Sequence, residues 1–413
     1  MDRSVVMVGW MMVASLGCAP TWKSKLQADT REVARALGDP VELAQPFDPK
    51  TVPDIEVPDK IRPCCAFGQD MHAKLGPVPI PIFENKNVLG PEEVGPHGYD
   101  GGPEREHNGL VYTCRGGFID IAHIRDNADR TLYLALQIVR ALPGGVDLKL
   151  PEEGTDRRVT IAPLPDGLLE RHGRWTTATA LASWASYQFS IWHEVVTWYG
   201  WESTPGFSEK LSAFSPEDLY SNVLGINLAA GIVLNREVRS RESYDESMQA
   251  WISEALRRLG VVDKQHARHA MAAVDGLWWD SKKKLPEMTL VTRRSLDLGV
   301  PVSGWIVADA VSGDATIEKM CAKQPPPLPL RVPEKLGDVE ISKLVTIQFT
   351  FAKWIPEKFP LPAAKGDTVT VGEFPQIVAD IRREGQELLG PDFDRPGSAK
   401  EPAKADAKEP AKE

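Results

Sequence analysis

The clearest pattern in the chain is a stripe of small polar residues along a segment, 176–199, that is otherwise apolar and aromatic. The stripe recurs at alternating intervals of three and four positions, at Ser183, Ser186, Ser190, His193 and Thr197. This spacing places the side chains on one side of an α-helix. A stripe that faces solvent usually carries Lys and Glu, and this one carries neither. The pattern therefore predicts a buried helix whose polar stripe lines an internal site.

A second predicted helix, over residues 118–141, repeats the same arrangement. Asp120, His123, Asn127 and Arg130 again follow intervals of three and four residues. Asp120 and His123 can meet on one helix face. A carboxylate beside an imidazole either fixes the tautomer of a metal-binding histidine or raises its basicity.

Two features flank this second stripe. Gly116 and Gly117 precede the helix and allow a close backbone approach, which suits an anion or a metal-bound oxygen at a helix N-terminus. Asp126 and Asp129 fall on another face of the helix. We expect these two carboxylates to be solvated.

A third predicted helix follows Ser215-Pro216-Glu217-Asp218, a typical helix start, and runs to about residue 235. Asp218 and Asn222 are one helical turn apart, with Ser221 beside them. Asp218 has a strong explanation that involves no functional site, because an acid in the first turn stabilises a helix by ~0.3–1 kcal/mol.

The remaining pattern predicts an α+β fold that is mainly α, with a few short strands. Residues 61–109 are dense in Gly and Pro and are expected to form an ordered, irregular loop that wraps the core. The other expected elements are a short helix at 25–37, a strand at 109–114, a hairpin over 142–161, helices at 244–259, 263–275 and 374–389, and strands at 345–351 and 368–371.

The chain has 413 residues, of which 42% are hydrophobic and 26% charged, with a net charge of −10. This is the composition of a globular protein, and the absence of a basic stripe argues against a nucleic-acid partner. We predict one globular domain over 61–395, preceded by a tether over 19–60. Residues 396–413 repeat AKEPAK and contain no large apolar residue, so this tail is predicted to be disordered. The oligomeric state is not fixed by the sequence.

The N-terminus indicates export. An apolar run from Val5 to Leu16 is too short to span a bilayer and is followed directly by Gly17-Cys18. Residues 1–18 resemble a bacterial lipoprotein signal, in which Cys18 is lipidated and becomes the mature N-terminus. A plain secretory peptide and a buried N-terminal strand are the alternatives. The lipoprotein interpretation places the protein in the cell envelope, anchored by lipid to the outer membrane and facing the periplasm.

The other cysteines are Cys64, Cys65, Cys114 and Cys321. Disulfides are expected in an oxidising compartment. A bond between the adjacent Cys64 and Cys65 would strain the peptide between them, so we expect one of them to pair with Cys114. The alternative is that some of the four are buried thiols.

His193-Glu194 begins the zinc-protease pattern H-E-x-x-H, but Thr197 occupies the position of the second histidine. A single histidine among tryptophans is usually a core residue, yet two histidines on two polar stripes are less often accidental. We therefore predict that His123 and His193 act as general bases or as ligands of a divalent metal such as zinc.

Glu194 and Asp120 are the predicted acid/base or orienting partners of the two histidines. The small polar residues near them are the predicted substrate contacts: Ser190, Thr197 and Asn222.

Four stretches carry a family resemblance: RPCCAFG (62–68), GGFIDIAHIRD (116–126), Trp-His-Glu (192–194) with TWYG (197–200), and FSPEDLYSNVLG (214–225). They resemble an uncharacterised bacterial exported family, domain-of-unknown-function family 4056, over roughly residues 60–310. The resemblance implies export and a single helix-rich domain, and it implies no activity.

These observations predict an envelope lipoprotein that is a histidine- and carboxylate-dependent hydrolase of an envelope component such as peptidoglycan, lipid or glycan. The alternative is a non-catalytic envelope lipoprotein that binds a wall component or scaffolds a partner. On that alternative, four aromatic residues form the binding face: Trp175, Trp198, Tyr199 and Trp201.

Overall fold

The computed structural model describes residues 27–38, 53–63, 65–75, 78–85, 87–101, 106–202 and 208–397. These residues form ten α-helices: α1 (Thr30–Gly38), α2 (Ile121–Ala141), α3 (Leu168–His172), α4 (Arg174–Trp198), α5 (Asp218–Leu234), α6 (Arg241–Arg258), α7 (Lys264–Ala273), α8 (Val307–Ala310), α9 (Ala315–Cys321) and α10 (Phe374–Leu389). They also form ten strands: β1 (Met71–Leu75), β2 (Val78–Asn85), β3 (Leu110–Thr113), β4 (Gly117–Asp120), β5 (Val146–Glu153), β6 (Thr155–Ile161), β7 (Lys335–Leu336), β8 (Val339–Glu340), β9 (Val345–Thr350) and β10 (Thr368–Thr370). The fold is α+β and mainly helical, as the sequence predicted.

The centre of the domain is formed by α2, α4 and α5, which pack against one another. Every residue of α4 from Trp175 to Trp198 is buried, and so is every residue of α5. Both helices are apolar around most of their circumference, so each is covered by protein on all sides. The buried helix that the polar stripe predicted is therefore confirmed, within two residues at its start.

An antiparallel sheet of order β10-β9-β6-β5 covers one side of α4. Trp192 of α4 stacks on Phe349 of β9, with ring centroids 4.2 Å apart, and on Phe374 at the start of α10. The indole N–H of Trp192 donates to the hydroxyl of Thr155 on β6 at 3.0 Å. These contacts fix the helix relative to the end of the β5–β6 hairpin, and the hairpin in turn supplies a residue to the site described below.

The expected loop over 61–109 is wrong in part, because it contains the β1–β2 hairpin. Pro79 and Pro81 lie within β2, and proline removes a donor from a strand. Such residues are tolerated in a strand with one partner only, and β1–β2 is a two-stranded sheet. Because proline is unfavourable in most strands, the two prolines led the sequence analysis to predict a loop here.

The predicted pairing of Cys64 or Cys65 with Cys114 is wrong. Cys114 forms a disulfide with Cys321, the last residue of α9, across 207 residues of sequence. Cys65 is unpaired among the described cysteines, and Cys64 lies outside the described residues. Cys114 follows β3 and lies against the end of α9, where Cys321 is the last residue, which explains the difference.

The expected anion site at Gly116 and Gly117 is also wrong. These residues form the tight turn between β3 and β4, with φ of +73° at Gly117. A Cβ at Gly117 would overlap the carbonyl oxygen of Trp305, and a Cβ at Gly304 would overlap the carbonyl oxygen of Gly116. The glycines permit close packing of two backbone segments and not the approach of a ligand.

The aromatic binding face of the non-catalytic alternative does not form. Trp175 and Trp198 are each 2% exposed and Tyr199 is 8% exposed. Trp198 and Tyr199 donate hydrogen bonds to carboxylates of α10, at 2.8 and 2.9 Å. These side chains attach α10 to the core.

The predicted signal peptide with Cys18 lies outside the described residues, as does the predicted tail beyond Gly397. Within the described part of the chain, no helix is both long enough and apolar enough to cross a membrane.

Candidate functional site

The two histidine stripes meet at the interface of α2 and α4. The ring centroids of His123 and His193 are 5.8 Å apart. One donor atom from each of His123, His193 and Glu194 lies within 4.8 Å of the others, and all three side chains are buried. The packing that the two stripes predicted therefore brings the histidines into one shared space.

His193 is held by Glu153, at the end of β5. The ring Nδ1 lies 2.5 Å from Oε1 of Glu153, and Arg157 of β6 donates to the other carboxylate oxygen. Burial alone would raise the pKa of Glu153, but Arg157 and His193 outweigh it and lower this pKa to about 2. The carboxylate is therefore ionised, and Nδ1 of His193 must be the donor. Nε2 is then the nitrogen through which His193 can bind a metal.

The same pair sets the protonation of His193. Burial opposes the charged ring, but the negative charge and hydrogen bond of Glu153 raise the pKa of His193 to about 9. A carboxylate behind a histidine is the usual support of a metal-binding imidazole.

The sequence did not indicate Glu153. It lies in the segment EEGTD, which reads as an exposed hairpin turn. The β5–β6 register shifts between Leu150 and Glu153, and the side chain of Glu153 is fully buried. A bulge of this kind redirects a side chain and leaves no signal in the alternation of residues.

His123 is held by an amide network. Its Nδ1 lies 2.8 Å from Oδ1 of Asn222 on α5, and Nδ2 of Asn127 donates to the same oxygen at 2.6 Å. Arg130 donates to Oδ1 of Asn127 at 3.2 Å. Because an amide oxygen only accepts, the Nδ1 of His123 carries the hydrogen in this contact. Asn222, predicted as a substrate contact, orients His123.

Two carboxylates approach His123 from opposite sides of its ring. Oε1 of Glu194 lies 3.8 Å from Nδ1, and Oδ1 of Asp218 lies 3.8 Å from Nε2. The second oxygen of Glu194 accepts from the backbone N–H of Phe214 at 2.8 Å. Oε1 of Glu194 is buried and accepts from no N–H group of the described residues, although the carboxyl of Asp218, when protonated, can donate to the Glu194 carboxylate. This oxygen is suited to a cation.

Four buried carboxylates surround this side of the site: Asp120, Glu194, Glu217 and Asp218. Both oxygens of Glu217 lack a hydrogen-bond partner among the described residues. Burial, followed by the charges of neighbouring carboxylates, raises the pKa of Glu217 and of Asp218 well above the usual range. Burial also raises the pKa of Asp120. So many acids in one buried place are stabilised either by protonation or by a cation.

A buried arginine offsets part of this charge. Arg294 is fully buried, and its guanidinium donates to the carbonyl oxygens of Leu211, Ala213 and Met288. Burial lowers the pKa of Arg294 to about 10, although Asp218 and its acidic neighbours oppose this change. The hydrogen bonds of Arg294 go to backbone carbonyls, so the charge of these acids is balanced by protonation or by a further cation.

Asp120 is held in place by backbone contacts. It is the N-cap of α2, where Oδ1 accepts from the N–H of Ala122 at 2.7 Å. Oδ2 accepts from the backbone N–H of Cys65 at 3.1 Å. Both oxygens are thus engaged with backbone, and Asp120 joins the acidic cluster through its charge.

Ser190 lines a small cavity beside His123 and His193, of about 10 Å³, and its hydroxyl donates to the carbonyl of Tyr187. Thr197 is buried one turn further along α4 and is not among the residues that line this cavity. Of the predicted substrate contacts, Ser190 and Asn222 are therefore at the site.

Asp126 and Asp129 are not solvated, so that expectation is wrong. Both bind the guanidinium of Arg62, Asp126 at 2.6 Å and Asp129 at 3.0 Å, together with Glu106 at 2.7 Å. Arg62 fixes the 53–63 segment against α2, and Ile61 of that segment lines the cavity. The two aspartates were missed because their partner is distant in sequence.

A family model described as "Protein of unknown function (DUF4056)" matches residues 52–303, more than half of the chain. The chain belongs to this family. The matched region contains every residue of the histidine and carboxylate site, whereas β9, β10 and α10 lie outside it. No curated protein and no solved structure matches the chain. The family description names no activity.

Proposed function

We propose that the protein is a hydrolase that uses one divalent metal ion, zinc in the simplest case, bound by His123, His193 and Glu194. The observation that carries this proposal is the convergence of these three buried donors within 4.8 Å, from two helices. Two imidazoles and a carboxylate are a common donor set of catalytic zinc.

The surroundings of the ligands support the proposal. Glu153 and Asn222 each hold one imidazole by its Nδ1, at 2.5 and 2.8 Å. Catalytic metal sites use such partners to fix ring orientation and tautomer. Among the described residues, Oε1 of Glu194 is buried and accepts from no N–H group, which leaves it available to a cation.

A bound divalent ion supplies Lewis acidity and activates water for hydrolysis. Asp218 is the chain's own acid/base candidate, because its carboxyl lies 3.8 Å from His123 and burial, with the neighbouring carboxylates, raises its pKa well above the usual range. Glu153 keeps His193 in one orientation, and the N–H of Phe214 keeps Glu194 in place.

The cellular setting is also a proposal. Leu16-Gly17-Cys18 favours export and lipidation at Cys18, with the domain in the periplasm and attached to a membrane. The Cys114–Cys321 disulfide supports an oxidising compartment. The substrate would then be a component of the envelope.

Activity of the full chain tests the proposal. Protein stripped with a chelator and then given zinc, manganese or magnesium is assayed against ester, amide and phosphoester substrates. We expect activity that depends on metal and is lost in His193→Ala and Glu194→Gln. His266→Ala, on exposed α7, is the control and should retain full activity. Activity without metal, or activity that survives in His193→Ala, would contradict the proposal.

A further inference from the structure

A second cavity, of about 20 Å³, adjoins the one beside the histidines. Arg130, Asp126 and Ile61 line both cavities. Arg157 and Lys60 also line the second cavity. Asp59, Asp126 and Asp129 line it as well, and the last two are already bound by Arg62. Arg130 thus lies at the boundary between the histidine site and a space with further cationic side chains and one exposed acid.

Arg130 is buried, with 9% exposure, and most N–H donors of its guanidinium have no hydrogen-bond partner among the described residues. Its one side-chain hydrogen bond to a described residue is the 3.2 Å contact with Asn127, and no described carboxylate forms an ion pair with it. Arg125 and Arg157, which are more deeply buried, each bind a carboxylate. A guanidinium has five N–H donors, so Arg130 retains most of its capacity for a ligand.

A second guanidinium faces the same cavity. Burial lowers the pKa of Arg157 to about 10, and the positive charge of nearby Arg130 contributes. Glu153 offsets Arg157, but the same carboxylate also binds His193. Two arginines that repel each other beside one cavity form a site suited to an anion that carries more than one charge.

We propose that Arg130, assisted by Arg157, binds the phosphate group of a phosphoester substrate next to His123 and His193. The assignment of a substrate rests on the proposed hydrolase function, whereas phosphate binding by Arg130 does not. In the hydrolysis, a water oxygen forms a bond to phosphorus and the bond from phosphorus to the alcohol oxygen breaks. One proton of the water goes to the leaving alcohol and the other remains with the phosphate.

Both cavities are smaller than a phosphoester, so the wall over them must open. Residues 58–61 line the second cavity and Ile61 also lines the first, and Asp59 and Lys60 of this segment are exposed. Substrate entry requires displacement of this segment, which Arg62 ties to α2.

Titration calorimetry of the full chain with inorganic phosphate tests the proposal, in chelator-treated and in zinc-loaded protein. Arg130→Gln should weaken phosphate binding by about tenfold or more in both forms, with Arg130→Lys intermediate. Arg383→Gln, on the exposed face of α10, is the matched control and should bind phosphate as the wild type does. Acetate should bind more weakly than phosphate.

Equal phosphate affinity of wild type and Arg130→Gln, or no binding by the wild type at millimolar phosphate, would overturn the proposal. Acetate binding as tight as phosphate binding would overturn the phosphoester assignment. If circular dichroism shows that Arg130→Gln does not fold, the phosphate affinities of Arg130→Lys and the wild type are compared instead. Equal affinities would then overturn the proposal. Failure to bind zinc contradicts the hydrolase proposal alone, since phosphate binding by Arg130 is still measured in the chelator-treated protein.

Discussion

Replacing Glu153 by glutamine removes the charge that holds the proton on His193. In the wild type the pKa of His193 is raised from its ordinary value of 6.5 to about 9. The glutamine side chain keeps the shape of Glu153 but not its negative charge, while burial of the ring persists. We therefore expect the pKa of His193 in metal-free Glu153→Gln to fall to 6.5 or below.

The difference between these pKa values corresponds to roughly 3 kcal/mol of folding free energy. Because the folded-state pKa is the higher one, this contribution is fully present below pH 6.5. It is lost as the pH rises through 9. Glu153→Gln should lose this pH-dependent contribution to the free energy of unfolding. It should also be less stable overall, since Arg157 loses its carboxylate partner.

Two measurements check this prediction on metal-free protein. The His193 ring is titrated by NMR, and urea unfolding is compared at pH 6 and pH 9.5. The stability difference between wild type and Glu153→Gln should be larger at pH 6. Asp156→Asn, which changes an exposed acid on β6, is the control and should leave the pKa of His193 at about 9. A His193 pKa that stays near 9 in Glu153→Gln would refute the reasoning.

Three further predictions concern the frame around the site. Cys321→Ser should destabilise the protein by about 2–5 kcal/mol, and non-reducing peptide mapping should recover a peptide that joins Cys114 to Cys321. Arg62→Ala should cost about 3–5 kcal/mol, because three acids each lose a buried cationic partner, and should speed proteolysis within 53–63. Cys18→Ser should move the protein from the membrane fraction to the soluble periplasmic fraction, and unchanged membrane association would exclude lipidation at Cys18.

The sequence predicted the two helices of the site because their side chains carry the period of an α-helix. His123 and His193 each interrupt an apolar surface, and two such interruptions in buried helices have to face each other or a shared space. The same reasoning found Glu194, which is adjacent to His193 on α4. This part of the site is encoded in local spacing and could be derived without the structure.

The remaining site residues depend on contacts that are distant in sequence. Glu153 becomes buried through a register shift that hydrophobic alternation does not reveal. Asp218 has an adequate local explanation as a helix N-terminal acid, and its proximity to His123 depends on how α5 packs on α2. The disulfide partner of Cys114 could not be derived for the same reason. Sequence spacing does not determine disulfide connectivity.

The central claim is that His123, His193 and Glu194 bind a metal ion, and metal analysis tests it most directly. Full-length protein is loaded with zinc, desalted and measured by inductively coupled plasma mass spectrometry against protein concentration. We predict one zinc ion per wild-type chain, one in His266→Ala, and a loss of bound zinc in His193→Ala and Glu194→Gln. Zinc affinity should rise about tenfold per pH unit between pH 6.5 and 9, because the metal displaces the proton of His193. A wild-type chain without metal, or His193→Ala with the same zinc content as the wild type, would contradict the account.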